Sequence, residues 1–110
     1  MILHLALVGD WNEAKATGVY PWSTRGLTLE QVGYVHCSHE HQWRGVRERF
    51  YADLSSDELV LLEIDESLLS SPVIVEQLDG APEPFQHIHG PLEPAAVVGE
   101  RRIDCFDCFD

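Results

Sequence analysis

From Glu58 to Ile103 the chain carries four strand-like runs with no helical spacing between them, and this half restricts the fold most. Glu58 to Asp65 encloses Leu59-Val60-Leu61-Leu62, and Val73 to Gln77 is β-branched and entered from Pro72. Phe85 to His89 runs into the Gly90-Pro91 turn, and Ala95 to Ile103 is the last run. The first half differs. Ile2 to Val8 reads as a strand apolar on both faces apart from His4, as a central strand would be. Asp10, with Glu13 at capping-box spacing, predicts a helix over Trp11 to Thr17 that stops at Gly18. Val19 to Gly26 reads as a loop, Thr28 with Gln31 as a single helical turn, and Tyr34 to Cys37 as a short strand. Ser38 then predicts the start of a helix over His39 to Ala52, with Trp43, Val46, Phe50 and Leu54 as one apolar stripe. Strand, helix, strand, helix and then strands alone is an α+β order, not a doubly wound sheet.

The 110 residues fit one domain, read as residues 1–104 with a tail at 105–110. A chain this long buries roughly two-thirds of its unfolded surface, so it needs no metal or disulfide staple. Seven basic against 19 acidic residues give a charge of −12, which argues against non-specific nucleic-acid binding. A small anionic ligand on a local patch stays compatible with that charge. The first apolar run is too short to span a bilayer and lacks signal-peptide flanks, and three cysteines do not make a secreted framework. A cytoplasmic protein without a membrane partner is expected; the oligomeric state stays open.

Six histidines are the chemical oddity of the sequence. His87 and His89 share one face of an extended segment, and His4 interrupts an apolar strand, where a buried imidazole needs partners. A core histidine bonded to a carbonyl is the plain reading of any one of them. Several on separate strands point to a shared cleft. At His36-Cys37-Ser38 a capping serine would place free helix N–H groups beside His36, a seat for a phosphate, with Arg25, Arg44 and Arg47 as helpers. Cys37 is a rival nucleophile, but alternation turns it away from His36 and favours a buried thiol.

A metal site is the second rival. His87 and His89 with His36 or His41 could supply three nitrogen ligands, although no neighbouring carboxylate completes a signature, and no metal ligand is assigned. Cys105 and Cys108 lack a following helix or a second half-site and read as part of the tail. Glu76, in Val73-Ile74-Val75-Glu76, is either a catalytic or ribose-binding carboxylate or a half-exposed edge residue; the sequence leaves both open.

Ile2-Leu3-His4-Leu5-Ala6, Gly33-Tyr34-Val35-His36-Cys37-Ser38, Arg49-Phe50-Tyr51, Leu59 to Asp65 and Phe85 to Leu92 resemble, in that order, the bacterial domain-of-unknown-function family DUF952. The family usually has tyrosine where His89 stands. Its pattern is similar to the ADP-ribosyltransferase-like fold, with small mixed or antiparallel sheets and two to three helices. That resemblance implies NAD or another nucleotide or phosphorylated ribose as ligand, and ADP-ribosyl- or 2′-phosphotransferase-like activity. His4 falls at the ribose-binding position and His36 at the position that orients the nicotinamide. The third position, often Glu, falls in Phe85 to Gly90, which offers His87 or His89. The phosphotransferase branch implies arginines that grip phosphates, for which Arg25, Arg44, Arg47 and Arg49 stand here.

The reading is therefore a cleft with His36 and His87 as catalytic residues and His4, Tyr20, Ser38, Arg44 and His89 as ligand-binding residues. The alternatives are a non-catalytic ligand-binding module and a histidine-coordinated metal enzyme.

Overall fold

The computed structural model describes residues 1–78 and 80–103. Cys105 and Cys108 lie outside the described residues. The fold is α+β, with small antiparallel sheets and three α-helices among the described residues.

Strand β1 (Ile2–Leu7) passes straight into helix α1 (Val8–Thr17), so no Asp10 cap forms; Val8 continues the chain into the helix without a side-chain cap. Gly18, at φ 82°, ends the helix and donates its N–H to the Ala14 carbonyl at 2.8 Å. The segment expected as a loop holds a short hairpin, β2 (Trp22–Thr24) and β3 (Leu27–Thr28). Helix α2 (Leu29–Val32) is the single turn that Thr28 and Gln31 predict. Each side chain takes the other's backbone N–H. Strand β4 (Val35–His36) and helix α3 (Trp43–Phe50) follow. The second half holds β5 (Leu59–Ile64), β6 (Val73–Glu76), β7 (Phe85–Ile88) and β8 (Val97–Arg102), with 3-10 turns between some of them.

One sheet has the order β1-β5-β8 and the other β4-β7-β6. The central strand of the first is β5, not β1. Both are apolar on both faces because a hydrophobic core lies on each side. Ile2, Ala6, Val60, Leu62 and Ile64 pack with Trp11, Tyr20, Val35 and Ile88. Leu3, Leu5, Leu59 and Leu61 pack with Trp43, Val46, Tyr51 and Phe85. The free edge of β1 meets Ser38, where Leu3 and Ser38 exchange backbone hydrogen bonds of 2.9 and 2.8 Å. That bridge joins the two sheets.

Helix α3 starts four residues later than Ser38 predicts. Ser38 is spent on the bridge, and residues 39–42 form a turn in which the Gln42 side chain accepts the His39 N–H. The apolar stripe also ends early. Phe50 is 58% exposed, while Tyr51 is the buried residue and its hydroxyl accepts the Arg25 N–H at 3.1 Å.

Gly90 closes the turn after β7, where a Cβ would sit 2.5 Å from Ser71 Cβ. Gly90→Ala is therefore expected to cost about 1–3 kcal/mol, read as a lower urea midpoint, and Ser71→Gly should restore it. An unchanged midpoint in the single variant refutes the clash.

Candidate ligand cleft and its histidine face

Alternation in the β4-β7-β6 sheet sorts its side chains by face. Val35, Cys37, Ile88 and Val73 turn into a hydrophobic core. His36 pairs directly with His87, His87 with Ile74, and Phe85 with Glu76. Tyr34, His36, Phe85, His87, His89 and Glu76 therefore belong to the other face. That face, His89 apart, walls a hollow of about 310 Å³ with Arg49 and Phe50 at the end of α3. A second hollow of about 300 Å³ lies beyond Tyr34, His36 and Phe50 and reaches Thr24 and Arg25. The three shared residues make the two hollows one divided cleft.

Glu76 gathers two of the histidines. Its Oε1 accepts from His87 Nδ1 at 2.8 Å and from His89 Nε2 at 2.7 Å. Because a carboxylate only accepts, those two nitrogens carry the protons. The bonds from His89 and His87 hold the Glu76 carboxyl below its ordinary range. Tyr34 stacks on His87 with ring centroids 4.0 Å apart and leans on His89 at 5.8 Å. Burial, then the Glu76 charge, raises the Tyr34 hydroxyl.

His36 is the cleft's second chemical element. Its ring lies 5.0 Å from Phe85 and 5.7 Å from His87. Burial, with the charges of His4, His87 and Arg49, lowers its pKa to about 4. The ring is therefore uncharged at neutral pH, and its buried Nε2 has no hydrogen-bond partner among the described residues. Arg49 packs its guanidinium over Phe50 and Phe85, 5.8 and 5.9 Å from the ring centres. Among the described residues no carboxylate pairs with it, whereas Arg25 is held by Asp53 and Arg101 by Glu40 and Glu63.

Four of the expected ligand residues stand elsewhere. His4 is 1% exposed; its Nδ1 donates to the His36 carbonyl at 2.5 Å, and its Nε2 accepts the Tyr20 hydroxyl at 2.7 Å. His4 and Tyr20 thus form a sealed core pair, and neither lines the cleft. Ser38 is buried in the bridge between sheets and α3 begins only at Trp43, so among the described residues no helix terminus offers its amides beside His36. Arg44 lies over the Trp43 ring at 4.6 Å, away from the cleft lining. His36 and His87 do line the cleft, and His89 joins them through Glu76. Burial raises the Cys37 thiol far above its ordinary value, which leaves it inert.

Tyr34, Phe50 and Phe85 complete the cleft without having been singled out as ligand residues, and Arg49 is the one of the four candidate arginines that lines its larger hollow. The strand parity of Tyr34 with His36, and of Phe85 with His87, was the available signal for two of them. Phe50 looked like core because it fits the helical stripe.

These features place the molecule among small α+β proteins with a histidine-lined cleft on one sheet face. Residues 6–100 match the model of DUF952, a protein family of unknown function, and the chain belongs to that family. Two solved structures of protein CC0527 from Caulobacter crescentus, one of them of a double mutant, share the fold. Each has a TM-score of 0.76 at 23% identity, over 94% of this chain and 85% of that one. No curated protein matches. No helix among the described residues is long and apolar enough to cross a membrane.

Proposed function

We propose that the cleft binds a nucleotide or another phosphorylated ribose compound, NAD included. The observation that carries this reading is Arg49, a guanidinium without a carboxylate partner among the described residues of a chain of charge −12, at the rim of an aromatic hollow. A phosphate takes the guanidinium, a planar base packs on the exposed ring of Phe50, and a ribose hydroxyl donates to His36 Nε2 once the ring shifts to meet it. Hollows of about 310 and 300 Å³ each reach the low end of the range of roughly 300–1,000 Å³ that small-molecule sites occupy.

Transfer at an anomeric carbon draws on the same groups. His36 and His87 are the residues to act, and Glu76 supplies the carboxylate that the Phe85 to Gly90 segment lacks. Burial of His4 counts against a ribose-binding role for it, and Arg49 replaces the helix terminus as the phosphate holder. An ADP-ribosyl- or 2′-phosphotransferase-like activity is then tested by nicotinamide release from NAD, and a pure binding module releases none.

The test of binding is a thermal-shift and calorimetric series with NAD, AMP and ribose 5-phosphate in the presence of a chelator. A specific ligand raises the melting temperature of the native protein. Arg49→Ala should weaken binding about 10- to 100-fold, the worth of a charged hydrogen bond. His36→Ala should weaken it without lowering stability, because the backbone carbonyl that anchors His4 remains. A flat response to all three compounds overturns the proposal.

A further inference from the structure

We propose that Glu76, His87 and His89 form a binding site for one divalent transition-metal ion of the zinc or cobalt kind. The proposal stands apart from the nucleotide reading, because it uses no ligand but the metal.

One ligand atom from each of Glu76, His87 and His89 can be chosen so that all three lie within 4.8 Å of one another. The two contacts through the carboxylate oxygen are 2.7 and 2.8 Å. Ligand atoms about 2.0–2.2 Å from a common ion stand roughly 3 to 3.5 Å apart, so a small outward movement of the rings admits the ion. Each neutral ring moves its proton to its other nitrogen through solvent, so the lone pairs of His87 Nδ1 and His89 Nε2, with one from Glu76, go to the ion and the proton count is unchanged.

Two imidazoles and one carboxylate are borderline donors. They suit zinc, cobalt, iron or nickel and lack the oxygen set that calcium or magnesium needs. The backbone presents them well. His87 and His89 are two residues apart along and beyond β7, and Glu76 lies diagonally opposite on the neighbouring strand. His87 is held at 3% side-chain exposure under Tyr34, while Glu76 and His89 are about one-third exposed and leave the ion a way in. The third donor is therefore Glu76, not His36 or His41; His41 is exposed and pairs with Glu83. No fourth protein donor joins the group among the described residues, so coordination positions remain for water or a cleft ligand. A three-ligand site of this kind is open, as catalytic metal sites are.

The rival account is three side chains joined by hydrogen bonds alone. Calorimetry of the tag-free, chelator-treated full chain against zinc chloride, and visible absorption with cobalt chloride, decides between them. The expected results are one ion per chain, visible cobalt bands of a low-symmetry nitrogen and oxygen site, and a zinc-dependent rise in melting temperature. Glu76→Gln and His89→Ala should each weaken binding about 100-fold or more, since even outer-shell partners are worth ~10–100-fold. His41→Ala should bind as wild type does. Absence of stoichiometric binding by the wild type, or equal binding by all variants, overturns the site. If neither substitution yields a folded protein, the wild-type cobalt spectrum decides: no bands at one equivalent rejects it. Metal binding without any nucleotide response upholds this site and defeats the cleft proposal, and the reverse pattern does the opposite.

Discussion

His4→Ala is expected to lower the unfolding free energy by about 3–5 kcal/mol, the sum of a buried cavity and a broken polar pair. The imidazole is fully enclosed, and both of its nitrogens are used. Because a carbonyl only accepts, Nδ1 carries the proton toward His36, and Nε2 receives the Tyr20 hydroxyl hydrogen. Truncation empties the site and strands two groups in the core, the carbonyl and the hydroxyl. For a domain of this length the melting temperature should fall by more than about 12 °C. Tyr20→Phe keeps the ring volume and removes one donor, so its cost should be about 1–3 kcal/mol. Calorimetric melting of both variants checks the pair. A His4 variant of wild-type stability that fails to bind a ligand would return His4 to the ribose role.

Acid should unfold this protein through its imidazoles before its best-paired carboxylates matter. His4 titrates at about 4 when folded, against an unperturbed 6.5, because burial disfavours its charged form. His36 is lowered to about 4 as well, again chiefly by burial. Between pH 6.5 and 4 the unfolded chain therefore binds protons that the native state refuses. Stability is highest above 6.5 and falls as the pH drops through that window; below 4 these two groups add no further loss. His4 alone accounts for on the order of 3 kcal/mol, at about 1.4 kcal/mol per pH unit. Asp53, held at about 2 by Arg25, loses its contribution only at lower pH. Urea unfolding at pH 7 and pH 4.5 measures the difference, and in His4→Ala the slope should drop by about one proton. A free energy independent of pH over this range refutes the assignment.

The strands of the second half were legible because an apolar or β-branched run leaves few alternatives. β5, β6, β7 and β8 all fall within the runs expected. The hairpin at Trp22–Thr24 was not legible, since three- and two-residue strands carry no periodicity. Ser38 misled for a physical reason. A serine before a helical stripe is as good a bridge residue as a cap, and only the tertiary contact with Leu3 decides. His87 and His89 could be placed on one face from strand parity, whereas His36 joined His87 only through the family resemblance, a pairing that the register of β4 against β7 now supplies. Glu76 could not be placed with them, because the loop between β6 and β7 is too long to fix their pairing; only the register reveals the diagonal. Arg49 was one of four arginines open to a phosphate, and only the structure separates it, by holding Arg25 on Asp53 and Arg47 on Ser56 and placing Arg44 over Trp43.

The sheet β4-β7-β6 assigns alternate residues of each strand to different tasks, packing behind and chemistry in front. His89, one-third exposed on the front, can be exchanged without touching Val35, Cys37 or Ile88 behind. Descendants of such a chain are free to change what they recognise without learning to fold again.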